Sequence, residues 1–223
     1  MRNEIFVELG NTNAKWKFKG KYFFLPTKIF EFDKLPVTAK IWASNVSQKF
    51  FDSKELNVTF IESQKRYKSL ISSYKEPKSL GSDRWLALIA SYEKYQRRNL
   101  ILVDIGTAIT IDAINKSGMH LGGVIFPGLE KIRESFNFPF ITSHEKIDGV
   151  GQSTEEGWTI GTLSVVVNSI IQKVKELEIK LPNSSIIVTG GGYKVVQDFL
   201  DFGHIYDKNL VLDGLEFYAH YMR

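Results

Sequence analysis

Apolar residues recur along this chain in two periods, one of strands and one of helices. Glu4–Leu9 (EIFVEL) is apolar and β-branched and runs into Gly10-Asn11-Thr12, which predicts a strand ending in a turn. WKFKG and KYFFLP, two aromatic segments split by Gly20, predict a hairpin. Lys40–Ser44 and Asn57–Ile61 read as two further strands. In RWLALIASYEKYQRR the period changes: Trp85, Leu88, Ile89 and Tyr92 stand at helical spacing, and Arg97 and Arg98 suit a helix C-terminus. Asn99–Asp104 (NLILVD) reads as a buried strand with its turn at Gly106-Thr107. ITIDAIN and MHLGGVIF then flank Lys116-Ser117-Gly118 as a second hairpin. A long helix is predicted around Ile160–Leu177, with Ile160, Leu163, Val167, Ile170, Ile171 and Val174 on one face. The strand Ser185–Thr189 leads into Gly190-Gly191-Gly192, and a short helix follows near Val195–Leu200. The last segment, Leu210–Tyr221, reads as a strand that turns at Asp213-Gly214 into a helix.

The two halves open alike. ELGNT at Glu8–Thr12 and DIGTA at Asp104–Ala108 both set an acid, an apolar residue, glycine and a small polar residue at a strand end, and a hairpin follows each. This degenerate internal repeat predicts two α/β units, residues 1–98 and 99–223. No Pro- or Ser-rich linker separates them, so tight packing is expected, with the two turns facing each other across a cleft.

Composition narrows the chemistry. The 223 residues are 43% hydrophobic and 24% charged, ordinary globular values that argue against disorder. There is no cysteine, which excludes disulfides, thiolate metal sites and a cysteine nucleophile, and fits a cytoplasmic location. MRNEIFVELG lacks the apolar core of a signal peptide, and no apolar run approaches the ~20 residues needed to span a bilayer. The net charge of +4 is spread along the chain; it suits anionic substrates such as nucleotides, and no nucleic-acid motif accompanies it. His120, His144, His204 and His220 have no metal-ligand spacing. The aromatic residues suit a core and a dimer interface.

Four motifs could carry chemistry. Glu8-Leu9-Gly10-Asn11-Thr12-Asn13-Ala14-Lys15 is either an ordinary strand turn or a phosphate loop. In the second case glycine permits close backbone approach, Asn11, Thr12 and backbone N–H groups donate, Lys15 balances charge, and Glu8 holds Mg²⁺ through water. Asp104-Ile105-Gly106-Thr107 offers the same turn with a second carboxylate, or a turn-capping one. Thr189-Gly190-Gly191-Gly192 leaves room for a flat ring or ribose, or simply needs positive φ; it is not a Walker A loop. Tyr74 through Gly81-Ser82-Asp83-Arg84 leads into a helix, where Ser82 or Asp83 also suits an N-cap and Arg84 a surface position.

In this order the motifs resemble the type III pantothenate kinases over nearly the whole chain. Glu8–Lys15 matches that family's Asp-x-Gly-Asn-Thr-x-x-Lys loop. Tyr74, Pro77, Leu80, Gly81, Asp83 and Arg84 match Tyr…Pro…Leu-Gly-x-Asp-Arg. Asp104–Thr110 matches Asp-x-Gly-Thr-Ala-x-Thr, and Gly122–Gly128 matches Gly-Gly-x-Ile-x-Pro-Gly. Ser153-Thr154 with Ile160 and Gly161, Thr189-Gly190-Gly191 and Leu212-Asp213-Gly214-Leu215 complete the series. The resemblance implies an α/β, duplicated ribonuclease-H-like (actin-like ATPase) fold, with two packed units and a nucleotide cleft between them. It implies phosphorylation of the primary hydroxyl of pantothenate by ATP, with Mg²⁺ and a monovalent cation, K⁺ or NH₄⁺. It also implies a homodimer that completes the pantothenate site at its interface. One position departs: the family's first acid is Asp, and here it is Glu8, one methylene longer.

On that basis Glu8–Lys15 and Thr107 are expected to hold the triphosphate, and Asp104 the monovalent cation. Asp83 is expected to accept the hydroxyl proton late in a loose transition state. Arg84 offers forked donors to substrate, and Tyr74, Gly81, Ser82 and Thr154 complete the pantothenate contacts. Two alternatives stand beside this: a kinase of the same fold for another hydroxyl substrate, and a non-catalytic regulatory relative of the kind described as accessory factors for transcription.

Overall fold

The computed structural model describes all residues except 1–2, 37–38, 48, 50, 52–56, 97 and 143–144. Arg97, expected to end a helix, and His144 lie outside the described residues. The chain forms two compact units: residues 1–97, 116–122 and 209–223, and residues 98–115 and 123–208.

Along the first unit run β1 (Glu4–Leu9), β2 (Asn13–Phe18), β3 (Lys21–Pro26), β4 (Lys40–Asn45) and β5 (Val58–Phe60). A small hairpin follows, β6 (Arg66–Tyr67) and β7 (Leu70–Ile71), and then α1 (Ser82–Lys94). The five-stranded sheet has the order β3-β2-β1-β4-β5, with β1, β2 and β3 antiparallel and β4 and β5 parallel to β1. Alternation along β1 places Ile5, Val7 and Leu9 in one core with Ile41, Ala43, Phe30, Phe32 and Phe51.

The second unit holds β8 (Leu100–Ile105), β9 (Ala108–Ile114), β10 (His120–Pro127), α2 (Leu129–Glu134) and α3 (Thr154–Lys180). β11 (Ser185–Thr189), α4 (Tyr193–Val196) and β12 (Ile205–Tyr206) complete it; of β10, the residues from Gly123 onward belong to this unit. Its sheet has the order β10-β9-β8-β11-β12, with β8–β9 antiparallel and β8–β11–β12 parallel. Strand for strand this repeats the order of the first sheet, and β8, β9, β11 and β12 repeat the directions of β1, β2, β4 and β5. The weak sequence repeat is therefore a structural duplication. α3 buries Leu163, Val166, Val167, Ile170 and Val174 against β8, β9 and β11. Its N-terminus is capped by Ser153, whose Oγ accepts from the Glu156 N–H (3.1 Å), while the Glu156 carboxylate accepts from the N–H of Gln152, the residue before the cap (2.7 Å).

The last segment corrects an expectation. α5 (Leu210–Tyr221) is helical throughout, and Asp213-Gly214 is not a turn. α5 packs with α1 in the first unit. A Cβ on Gly214 would lie 1.9 Å from Leu86 O, so glycine here serves a close helix–helix approach and not a bend. Among the described residues no helix is long and apolar enough to cross a membrane.

Candidate active site

The first unit brings most of the expected residues to the carboxyl ends of its parallel strands, where open α/β sheets place ligands. Glu8 is the penultimate residue of β1, and Lys15 faces it across the β1–β2 pair. Their charged groups lie 3.6 Å apart. Leu9 and Ala14 are buried and close the ladder, so Gly10, Asn11, Thr12 and Asn13 form a tight connection. The Gly10 N–H donates to Asn13 O (3.0 Å), and a Cβ on Gly10 would press on that same oxygen at 3.1 Å. Asn11, Thr12 and Asn13 are exposed.

Thr27 braces this turn from outside the motif. Its hydroxyl donates to Gly10 O (2.7 Å) and its N–H to Thr12 O (2.9 Å), and the residue is buried. Nothing local in the sequence marks Thr27; its role depends on the β2–β3 hairpin bringing it back.

Helix α1 starts beside the same strand ends. Glu8 pairs in register with Ser44 of β4, and Ser44 Oγ lies 2.8 Å from Ser82 Oγ in a buried contact. The helix is capped by Gly81 without any side-chain cap, so neither Ser82 nor Asp83 is the N-cap. Asp83 is the second helical residue, and its Oδ1 accepts from the Arg84 N–H (2.7 Å). A Cβ on Gly81 would fall 2.6 Å from that oxygen, so glycine makes room for the Asp83 carboxylate. Burial pushes the Glu8 carboxyl up, Lys15 pulls it partly back, and the charge of Asp83 pushes it up again; the two carboxylates feel each other.

Arg84 is not at the surface: it is only 6% exposed. Its Nη1 donates to Tyr74 Oη (2.9 Å), and the guanidinium lies 5.7 Å from the Tyr74 ring centre.

In the second unit Asp104 repeats the position of Glu8, penultimate in β8 and facing Thr110. The turn is one residue shorter: four residues separate Leu9 from its partner Ala14, and three separate Ile105 from Ile109. The Gly106 N–H donates to Ala108 O (3.1 Å), and the Gly128 N–H donates to Thr107 O (2.9 Å), which holds Thr107 in place. On the other side β11 brings Thr189 level with Asp104. Gly190 has φ +99°, and a Cβ there would lie 2.5 Å from Asp104 Oδ1. The Gly192 N–H donates to Ile105 O (2.8 Å). Thr154 is apart from this group in sequence, exposed at the first position of α3.

Among the described residues no three His, Asp or Glu side chains gather as a metal-binding set. What is present is Glu8 at the first strand end, 3.6 Å from Lys15 and in the field of Asp83, and Asp104 at the second, level with Thr110 and Thr189. Single carboxylates of this kind suit hard cations that keep most of their ligands from water and phosphate.

The sequence model of the family described as type III pantothenate kinase matches residues 35–176. A type III pantothenate kinase of Alcanivorax borkumensis is 30% identical, with 95% of this chain and 96% of that protein covered. A crystal structure from Campylobacter jejuni, described as a Baf family transcriptional activator, is 26% identical with TM-score 0.65 and covers 97% of both chains. A Sinorhizobium meliloti structure described as a 2-dehydro-3-deoxygalactonokinase is 8% identical with TM-score 0.64 over 98% of this chain and 99% of that one, a likeness of fold.

Proposed function

The chain belongs to the type III pantothenate kinase family, and from that membership we propose how its residues divide the work of phosphoryl transfer. The reaction moves the γ-phosphoryl of ATP to the primary hydroxyl of pantothenate, giving 4′-phosphopantothenate, the first step of coenzyme A synthesis. Catalysis of this kind is mostly positioning and charge neutralisation.

In the first unit the Gly10–Asn13 turn takes phosphate oxygens on its N–H and side-chain donors, with Lys15 as the neutralising cation. In the second unit Thr107 does the same. Mg²⁺, when bound, neutralises phosphate charge; Glu8 would hold it through water, which absorbs the extra methylene better than direct octahedral ligation would. Asp104 would hold the monovalent cation, with Gly190 leaving room for its carboxylate.

Asp83 accepts the hydroxyl proton as the bond to phosphorus forms. Its Oδ1 bond to the Arg84 N–H orients the carboxylate at the head of α1. Arg84 and Tyr74 hold the polar end of pantothenate, and Thr154 adds a contact. The observation that carries this reading lies within one unit: Ser44–Ser82 ties the start of α1 to the strand beside Glu8, so phosphate turn and proton acceptor share one strand-end site.

A homodimer is part of the proposal, supported by exposed apolar residues of the second unit: Phe136, Phe138, Ile141, Val150 and Val165. The cytoplasm is the proposed compartment, in keeping with the absence of cysteine.

The test is mass-spectrometric detection of 4′-phosphopantothenate after incubating the protein with ATP, Mg²⁺, K⁺ and pantothenate. Product that depends on every component is expected. No product, together with retention on nucleic acid, would replace this reading with the regulatory one that the Campylobacter relative favours.

A further inference from the structure

His120 is a buried titratable side chain to which the reaction above gives no role. It is fully buried, at the first position of β10. Its surroundings are built with care. Residues 118–122 run beside 69–73: the Ile71 N–H donates to Gly118 O (2.9 Å), and Ile71 and Met119 form a parallel bridge. Gly118, at φ +86°, allows this approach, since a Cβ would lie 2.7 Å from Ser69 O. The result sets the His120 ring against Tyr74, nearly parallel (16°) with centres 6.0 Å apart, while His120 Nδ1 lies 3.5 Å from Ser73 Oγ.

Tyr74 is thereby held from several sides. Lys65 Nζ donates to Ser72 O (2.7 Å) and Tyr74 O (3.0 Å), and the Tyr74 N–H donates to Ser72 Oγ (3.2 Å). These contacts fix the backbone. The ring has His120 against it, and its hydroxyl accepts from Arg84. A half-buried tyrosine has two soft torsions, and only side-chain contacts can set where its hydroxyl stands.

We propose that His120 is a positioning residue for substrate recognition: it holds the Tyr74 ring so that the Tyr74 hydroxyl orients the Arg84 guanidinium toward the acceptor substrate. This rests on the reading of Tyr74 and Arg84 as pantothenate contacts. A loosened guanidinium costs binding of the acceptor and leaves nucleotide binding alone.

The experiment compares the parent protein with His120→Ala, His120→Phe, Tyr74→Phe and the His120→Ala/Tyr74→Phe double variant, each measured for KM of pantothenate, KM of ATP and kcat. For His120→Ala, KM for pantothenate should rise by about tenfold, with KM for ATP and kcat within about threefold of the parent. His120→Phe keeps a flat ring and should recover most of that loss. It is also the variant expected to fold if alanine leaves too large a hole. Because His120 acts through Tyr74, the double variant should lose no more than the worse single variant. The proposal is overturned if folded His120→Ala or Tyr74→Phe keeps the parental KM for pantothenate, if both KM values rise together, or if the losses multiply. A parent that does not phosphorylate pantothenate overturns the functional reading and this proposal with it; an active parent with an indifferent His120 overturns this proposal alone.

Discussion

Replacing Gly190 by alanine tests whether the triple glycine is a mere connector or a socket for Asp104. Gly190 sits at φ +99°, and its added Cβ would meet Ile105 O at 2.3 Å and Asp104 Oδ1 at 2.5 Å. The backbone strain costs roughly 1–3 kcal/mol. Forcing a methyl group into occupied space costs about another 1–3 kcal/mol. The stiffer unfolded chain returns roughly 0.4–1 kcal/mol. The net loss is thus about 1–5.6 kcal/mol, and at roughly 2–4 °C per kcal/mol for a chain of this size Tm should fall by about 2–22 °C. Gly191 is the internal control, because nothing lies within 4 Å of a Cβ there and its φ is not in the positive range. Thermal melts of both variants by circular dichroism make the comparison. Gly190→Ala should melt well below Gly191→Ala, and its kinase activity below Tm should depend less on K⁺. A Gly190→Ala protein that melts within about 2 °C of Gly191→Ala would refute the socket and leave only a chain connection.

Asp83→Asn keeps an oxygen for the Arg84 N–H but cannot take a proton; turnover should fall by roughly 10²-fold or more with Tm unchanged, and turnover within a few-fold of the parent removes Asp83 from that role. Glu8 keeps its proton in the folded state to higher pH than the ordinary 4.5 of the unfolded chain. Its ionisation therefore costs stability, a cost that grows as pH rises above 4.5 through the raised folded value and is then constant. Glu8→Gln should gain Tm over the parent at pH 7.5 and gain less at pH 4, and equal differences at the two pH values would count against this. Gly214→Ala improves helix propensity by about 1 kcal/mol but drives a methyl group into the Leu86 backbone of α1. Overpacking of roughly 1–3 kcal/mol or more should win, so the urea midpoint should fall; an unchanged midpoint would mean that α1 and α5 separate freely.

Much of the candidate site's local geometry could be read from the chain because its motifs are local. Glu8 and Lys15 are seven positions apart on an antiparallel pair, so their pairing follows once the turn is placed. Asp83 and Arg84 lie side by side at a helix start. Other parts left no local trace. Thr27 supports the Gly10 turn from 17 residues away. His120 meets Tyr74 across 46 positions of sequence, which a list of scattered histidines could not reveal. A surface position is one of two readings that local sequence leaves open for Arg84, and burial against Tyr74 excludes it.

What the chain determined by itself was the alternation of strand and helix, the two strand-end turns and their kinship, since these rest on side-chain period and on glycine within a few residues. Tertiary structure decided where distant pieces settle. Leu210–Leu212 is an apolar run that suits strand or helix equally, and packing against α1 selected the helix, with Gly214 as the contact that permits it. Likewise the positive φ of Gly190 becomes meaningful only when β11 lies beside β8 and brings it to Asp104. Period is a property of neighbours in sequence; burial and close approach are properties of neighbours in space.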